Sequence, residues 1–224
     1  MQEFFFVTFI KYLPFLLKGA LVTIQLSILS MGLGLIIGLL TAIGRLSNIR
    51  PIAFLLFCYV EICRDVPLIV QLLVLYFTLP EIGIRLPGFV AGVVGLSLNL
   101  GAYTSEVFRA AIISIDAGQR DAGISLGMSR ATVYRRVILP QALLIAVPTL
   151  GGYFIGLLKD CSLVSFIAVN ELLRHGTIII ASTYRSMDVY LMVGMIYFVM
   201  SFGASHAVRW IEHKLTPPHL VLPR

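Results

Sequence analysis

Four long runs without Asp, Glu, Lys or Arg constrain this chain more than any other sequence feature. They cover residues 19–44, 86–105, 137–158 and 189–208. A helix needs roughly 20 mostly apolar residues to cross the hydrocarbon layer of a bilayer, and each run is long enough. Since lipid offers backbone groups no hydrogen-bond partners, each run is predicted to form a transmembrane helix.

A fifth run, residues 52–80, is long enough to cross but contains Glu61, Arg64 and Asp65. At about 1.5 Å per residue, Glu61 lies roughly 14 Å into the run, near the bilayer middle, where a charge is costly unless it faces protein or water. Pro67 then removes a backbone donor, and broken helices at mid-membrane line solute sites. The run is predicted to line a polar translocation path, with the three charges able to neutralise each other. A structural ion pair that only fixes helix packing is the alternative.

Composition agrees with a membrane protein and argues against several other classes. Hydrophobic residues make up 58% of the chain and charged residues 12%, against about 25% charged in soluble proteins. The net charge of +6 comes from dispersed cations without a basic stripe, which argues against a nucleic-acid partner. The three cysteines have no CxxC or zinc-site spacing, which argues against metal and redox chemistry.

The chain is therefore predicted to be an all-α membrane protein with five transmembrane helices in a single domain of residues 1–224. The predicted spans are about 19–44, 52–80, 86–108, 137–158 and 189–210. The first run is too long for the apolar region of a cleaved signal peptide. An odd number of spans puts the termini on opposite sides, and cytoplasmic segments carry the excess of Lys and Arg.

The charge count favours an amino end outside and a carboxyl end in the cytoplasm, with ten cations inside and six outside. The ten predicted inner cations are Arg45, Arg50, Arg109, Arg120, Arg130, Arg135, Arg136, Arg209, Lys214 and Arg224.

The third span carries a polar stripe of Asn99, Tyr103 and Glu106, spaced i, i+4, i+7. The stripe is predicted to face partners or water, and hydrogen bonding between helices is the alternative. Small-residue spacings that allow close helix contact are predicted to serve packing only. They are Gly34–Gly38, Gly88–Gly92 and Gly152–Gly156.

The polar segment of about residues 116–139 is predicted to be an ordered loop with two short helices, because Gly118 and Gly127 punctuate it and Ser129 can cap a helix. Its residues Asp121-Ala122-Gly123 are followed after three residues by Gly127 and after nine more by Val137-Ile138-Leu139-Pro140. This spacing resembles the cytoplasmic loop of the membrane subunits of ATP-binding-cassette importers, where Glu-Ala-Ala, Gly and Ile-x-Leu-Pro stand at the same distances.

Three more blocks narrow the resemblance to the polar amino-acid uptake permeases, a group that includes histidine, glutamine, arginine and opine systems. They are RDVPLIVQ (64–71), LNLGAYTSEVFR (98–109) and GLLKDCSLVS (156–165). These resemble the family's Arg-Gly-Thr-Pro-Leu-Leu-Val-Gln, Leu-Asn-x-Gly-Ala-Tyr-x-x-Glu-x-x-Arg and Lys-Asp-Thr-Ser-Leu. The chain departs from the usual residues at Asp121 for Glu, Gly123 for Ala, Asp65-Val66 for Gly-Thr and Cys161 for Thr.

The resemblance implies a type I importer permease fold in the bacterial cytoplasmic (inner) membrane. The implied partners are two copies of an ATP-binding subunit, an identical or sister permease subunit, an extracytoplasmic solute-binding protein, the lipid bilayer and an amino-acid substrate. No GxxxxGK[ST] occurs in the chain. We therefore expect ATP and Mg on the partner subunit, with no cofactor and no enzymatic activity on this chain.

In this family the inner loop couples the membrane subunit to its ATPase, and small residues permit close backbone approach to a partner. The predicted coupling residues are Arg120, Asp121, Ala122, Gly123, Gly127 and Pro140. A basic loop attracted to anionic headgroups is the alternative.

A zwitterion that leaves water needs partners for both its charges. The predicted substrate path is therefore formed by Glu61, Arg64, Asp65, Asn99, Tyr103, Lys159, Asp160 and Ser162. The alternative function is a stand-alone secondary carrier or channel for a small polar solute, in which Glu61, Asp65 and Asp160 form an ion relay. Inverted repeats are expected for such a carrier, and none is visible. A membrane-embedded enzyme ranks third, because the GxSxG match at residues 123–127 follows no strand.

Overall fold

The computed structural model describes residues 2–215, with side chains from residue 9 onward. Met1 and residues 216–224 lie outside this range, and with them Arg224 and the carboxyl end, for which the charge count makes predictions. No strand occurs within the described range, which confirms the all-α prediction. Its α-helices are α1 (Gln2–Arg45), α2 (Arg50–Asp65), α3 (Leu68–Leu73), α4 (Gly88–Ser114), α5 (Ala117–Ser125), α6 (Arg130–Val133), α7 (Leu139–Asp160), α8 (Leu172–Thr183) and α9 (Ser186–Leu215).

Four helical segments of the described chain are long and apolar enough to cross a membrane. They are Phe9–Arg45, Gly88–Ser114, Arg130–Ile167 and Ser186–Leu215. The third is continuous because a π-helical turn, Tyr134–Ile138, joins α6 to α7, and a 3-10 helix, Cys161–Ile167, follows α7. The prediction of five continuous transmembrane helices is therefore wrong, because residues 52–80 do not form one.

The predicted span 52–80 is a broken pair of helices. Val66, between α2 and α3, has extended backbone (φ −89°, ψ 129°), and Pro67 follows it. Proline disfavours the helical conformation in the residue before it and has no N–H to continue the ladder, so α2 ends there. Past Leu73 the chain winds through a π-helical turn to Thr78 and a 3-10 turn to Ile82.

The first and fourth helices lie side by side and point the same way. A Cβ on Gly34 would lie 2.7 Å from Leu100 Cδ2, and Leu26 of α1 lies beside Gly92 of α4. The Thr104 hydroxyl donates to the Gly34 carbonyl at 3.2 Å. Small side chains thus allow the tight α1–α4 contact. Because the two helices are parallel, the chain between them must return from the end of α1 to the start of α4.

The broken pair makes that return. Later residues of the pair contact earlier residues of α4, so the pair runs opposite to α4. The Tyr59 hydroxyl donates to Leu98 O at 2.6 Å, and Leu72 packs on Gly95. Farther on, Tyr76 of the π-helical turn approaches Gly88 at the start of α4. Helices α2 and α3 together therefore lead from the end of α1 to the beginning of α4.

The remaining long helices complete the bundle. In α7, which runs opposite to α4, Ala142 and Ala146 pack with Phe108 near the end of α4. Val208 near the end of α9 lies beside Gly151 of α7. Helices α1, α4 and α9 thus end at the same end of the bundle, where α5 and α6 lie, and we call this the loop end. Helix α8 lies at the other end of the bundle, which we call the α8 end.

The loop at the loop end is ordered by its own caps. The Asp116 carboxylate accepts from Gly118 N at 2.7 Å and starts α5, and the Ser129 hydroxyl accepts from Thr132 N at 3.3 Å and starts α6. Gly127 between them has φ +79°, a conformation that favours glycine. The predicted cap at Ser129 and the break at Gly127 are confirmed, whereas Gly118 lies inside the first turn of α5.

A buried polar cluster joins three helices at the α8 end. Glu171, 0% exposed, caps α8 by accepting from two of its backbone amides at 2.9 and 2.7 Å. Its carboxylate also accepts from the Tyr197 hydroxyl of α9 at 2.7 Å. The Thr23 hydroxyl of α1 accepts from Leu172 N at 3.2 Å. This Glu171 cluster has its donors and acceptors matched and ties α1, α8 and α9 together.

Candidate functional site

A cavity of about 450 Å³ opens beside the break between α2 and α3. Its polar lining comes from Arg64 and Asp65 at the end of α2, Asn99 and Tyr103 on α4, and Asp160 at the end of α7. The rest of the wall is formed by Val66, Pro67, Leu68, Leu96, Leu100, Gly152, Tyr153, Gly156, Leu157 and Leu163. Three stretches far apart in sequence thus meet around one space.

Five of the eight predicted path residues line this cavity together, namely Arg64, Asp65, Asn99, Tyr103 and Asp160. Glu61, Lys159 and Ser162 do not line it. Glu61 lies one turn before Arg64, and Lys159 is exposed next to Asp160. A role of these eight residues in a solute path stays a prediction.

The charges of the cavity are not paired with each other. The ion pairs within residues 9–215 join Arg45 to Glu106, Arg109 to Glu106, and Arg185 to Asp188.

The expected mutual neutralisation of Glu61, Arg64 and Asp65 is therefore not found in the described structure. The Arg64 guanidinium instead lies 5.8 Å from the centroid of the Tyr103 ring. The cavity thus offers one cation and two carboxylates to a solute. Within the described residues, no group of three or more His, Cys, Asp or Glu side chains could hold a metal ion.

The neutral polar side chains of the cavity contact the broken helix end. The Asn99 amide donates to Cys63 O at 2.9 Å, and the Tyr103 hydroxyl donates to Arg64 O at 3.4 Å. A third donor, Gln71 of α3, reaches the same region, and it is absent from the predicted residue set. The sequence does carry a signal for Gln71, because it is the last residue of the block 64–71 that resembles the permease family.

The predicted polar stripe of α4 divides into two parts. Glu106 lies at the loop end, where it pairs with Arg45 of α1 and accepts from Arg109 Nε at 3.0 Å. It does not line the cavity. Glu106 therefore follows the alternative of contact between helices, whereas Asn99 and Tyr103 line the cavity.

The glycine spacings also differ in role. Gly34–Gly38 and Gly88–Gly92 pack against other parts of the chain, as predicted. Around Gly152 and Gly156 an added Cβ would meet nothing within 4 Å, because both residues line the cavity. The packing prediction is wrong for this pair, whose missing side chains leave room in the cavity.

Most of the predicted coupling residues form an exposed surface at the loop end. The exposed ones are Arg120, Asp121, Ala122, Gly127 and Pro140. The Arg120 guanidinium lies 5.7 Å from the centroid of the exposed Tyr134 ring. Gly123 is buried instead, and a Cβ there would lie 2.8 Å from Val133 Cγ2. The expectation that Gly123 faces a partner is therefore wrong, because its small size serves the contact between α5 and α6.

Comparison with known proteins gives a family match and several close relatives. Residues 34–217 match the family model described as binding-protein-dependent transport system inner membrane component. The chain is 39% identical to the L-cystine transport system permease protein TcyB of Bacillus subtilis over 209 residues, which cover 92% of this chain and 88% of that protein. It is 37% identical to the glutamine transport system permease protein GlnP of Escherichia coli K12 over 205 residues, which cover 91% and 94%.

Solved structures match along nearly the whole chain. A chain of an amino acid ABC transporter crystallised with histidines superposes with a TM-score of 0.86 at 39% identity, covering 93% of this chain and 98% of that one. A chain of the MetNI methionine ABC transporter in an inward-facing conformation superposes with a TM-score of 0.79 at 20% identity, covering 92% and 99%. The second likeness concerns the fold alone.

Proposed function

Because the chain belongs to the family of binding-protein-dependent transport system inner membrane components, we propose that it is the transmembrane permease subunit of an ATP-driven amino-acid importer. It forms the path for the solute and couples that path to a separate ATP-binding subunit. The two relatives named above share more than a third of its aligned residues and are permeases for cystine and for glutamine by name, which supports this class of substrate.

One observation carries the proposal for the path, namely the cavity at the α2–α3 break with unpaired charges of both signs. An amino acid that leaves water needs an anion or acceptor for its ammonium and a cation or donors for its carboxylate, since unpaired buried charges are costly. Asp65 and Asp160 suit the ammonium, and Arg64 suits the carboxylate. Gly152 and Gly156 leave space for the substrate side chain.

The exposed loop supplies the proposed coupling surface. Helix α5 presents Arg120, Asp121 and Ala122 outward, and a π-helical turn makes α6 continuous with α7, which reaches Asp160 of the cavity. We propose that two ATP-binding subunits, which hold ATP and Mg, dock on this surface of the permease dimer. The second permease subunit is identical or a sister chain, and an extracytoplasmic binding protein delivers the amino acid.

The orientation in the bacterial cytoplasmic membrane follows from the same loop. We propose that the loop end is cytoplasmic and that the broken pair α2–α3 completes a crossing, because it returns from the end of α1 to the start of α4. The amino end then lies outside, in accord with the excess of Lys and Arg assigned to the inside.

Labelling with an impermeant thiol reagent tests this orientation in a background without Cys58, Cys63 and Cys161. Two exposed positions form a matched pair, Asn170 at the α8 end and Lys214 at the loop end. Asn170→Cys should label in intact cells, and Lys214→Cys should label only after permeabilisation. The reverse pattern contradicts the orientation.

Co-purification and ATP-dependent uptake test the function itself. Gly127→Asp is expected to block docking, but φ +79° at Gly127 makes any side chain strained there, so Ala122→Asp is the cleaner variant. Ala122→Asp should leave the protein inserted and remove most of the co-purifying ATP-binding subunit. Ala117→Asp, also exposed but roughly 140° around α5, is the matched control.

Two results would overturn the proposal. Uptake by the wild-type complex without ATP would favour a secondary carrier. Normal co-purification and uptake with Ala122→Asp would remove the coupling role of α5.

A further inference from the structure

The break between α2 and α3 leaves backbone acceptors without helical partners. In a continuous helix the carbonyls of residues 63–66 would accept from the amides of residues 67–70. Pro67 has no N–H, and Val70 N donates to Pro67 O at 3.0 Å instead. Since water is scarce in a membrane interior, each such carbonyl needs another donor.

Gln71 supplies donors to two of these carbonyls at once. Its Nε2 lies 2.8 Å from Cys63 O and 2.7 Å from Val66 O, so one amide group bridges the last turn of α2 and the residue before the proline. Both acceptors lie at the end of α2, whereas Gln71 belongs to α3. The Gln71 side chain therefore fixes the angle at which the chain turns from α2 into α3.

Two other side chains cap the same turn from α4. Asn99 shares the Cys63 carbonyl at 2.9 Å, and the longer contact from Tyr103 to Arg64 O is 3.4 Å. Both of these residues line the cavity, whereas Gln71 does not. Gln71 is partly buried behind the wall that Arg64, Asp65, Val66 and Pro67 form.

We propose that Gln71 is a positioning residue of the solute site, which holds the α2–α3 bend so that Arg64 and Asp65 face the cavity. This inference rests on the proposed transport function. Gln71 acts through the backbone of Cys63 and Val66 and does not touch the solute.

The role requires N–H donors at this position. A leucine there would keep most of the side-chain volume but offer no donor, so the Val66 carbonyl would lose its contact and the Cys63 carbonyl would keep only Asn99. A glutamate would place an acceptor against two acceptors when ionised. When protonated, it would offer one O–H donor.

The experiment compares Gln71→Leu and Gln71→Glu with the wild type in complexes reconstituted into proteoliposomes with the ATP-binding subunit and the binding protein. Gln25→Leu is the matched control, because Gln25 is exposed on α1 and does not line the cavity. Three quantities are measured: the amount of assembled complex, the uptake rate per complex, and the ratio of uptake rates for a cationic and a neutral amino acid.

We expect Gln71→Leu to assemble normally, to lower uptake per complex about tenfold and to change the substrate ratio, because misplacing a binding group impairs the step it serves. Gln71→Glu should be as impaired at neutral pH and should recover part of its uptake rate on acidification, whereas Gln71→Leu should not. Gln25→Leu should match the wild type.

A purely structural role predicts a different pattern, in which complex yield falls while uptake per complex and the substrate ratio stay normal. That pattern, or normal yield with normal uptake in Gln71→Leu, overturns the inference. If the wild-type complex itself shows no ATP-dependent uptake, the proposed function fails before the role of Gln71 is tested.

Discussion

Asp160 and Glu171 are acidic residues eleven positions apart in sequence, yet they lie in opposite kinds of surroundings. Glu171 is fully buried and accepts from two backbone amides and a tyrosine hydroxyl. Asp160 is exposed to the cavity and forms no ion pair within 4.0 Å among the described residues. The comparison indicates that a carboxylate whose hydrogen bonds are all made within the protein stabilises the fold. A carboxylate that faces a cavity without an ion-pair partner is available to a ligand.

Removal of the Glu171 carboxylate should have the largest effect. Glu171→Ala leaves the Tyr197 hydroxyl and the first amides of α8 without an acceptor, and each unsatisfied buried group costs about 1–3 kcal/mol. We expect little assembled complex, measured by size-exclusion yield. Tyr197→Phe removes one donor while leaving the cap intact, so it should lower the melting temperature only modestly. A normal yield of assembled complex with Glu171→Ala would contradict the structural role of Glu171.

Asp160→Asn should produce the opposite pattern, with a large effect on transport and little on assembly. The amide keeps the shape of the side chain but loses the negative charge proposed to face the substrate ammonium. Uptake per complex should fall about tenfold, which corresponds to about 1.4 kcal/mol of lost interaction. ATPase activity should still respond to the binding protein. Reduced thermal stability with normal uptake per complex would make Asp160 structural, like Glu171.

The smallest expected effect is a pH dependence of stability. Burial raises the pKa of Glu171 above its ordinary value of about 4.3. A raised pKa in the folded state favours the protonated form, so this contribution is complete below the ordinary pKa and is lost as the pH rises through the raised pKa.

The melting temperature in detergent should therefore fall relative to that of Glu171→Gln over the pH range above the ordinary pKa of about 4.3. Parallel curves for the two proteins would show that Glu171 does not titrate in this range.

The features visible in sequence are those that repeat or stand at a fixed spacing. The long apolar helices follow from the charge-free runs, and the ordered loop follows from Ser129 and Gly127. The co-location of Arg64, Asn99 and Asp160 is foreseen because each belongs to a block that resembles one family. The residue pattern alone does not place these blocks side by side. Their positions depend on tertiary contacts, such as the parallel packing of α1 on α4, which makes the α2–α3 pair return along α4.

The features missed depend on single contacts. Gln71 belongs to a block that resembles the family and Glu171 does not, but nothing in the spacing of either one indicates which backbone groups it satisfies. Gly152 and Gly156 have the same spacing as the packing pairs, but their face of α7 meets an open space. Glu106 continues the stripe of Asn99 and Tyr103, but Arg45 at the end of α1 is near enough to pair with it.

The break at Pro67 has one more consequence, because the cation and one carboxylate of the cavity lie on different helices. Arg64 is held to α4 through Asn99 and Tyr103, whereas Asp160 lies in the long helical segment Arg130–Ile167, which begins in the loop. A movement of this segment along α4 would therefore change the spacing between the cation and this carboxylate while both helices stay folded. A zwitterion has a fixed distance between its charges, so the proposed site would bind its substrate at one spacing and release it at another.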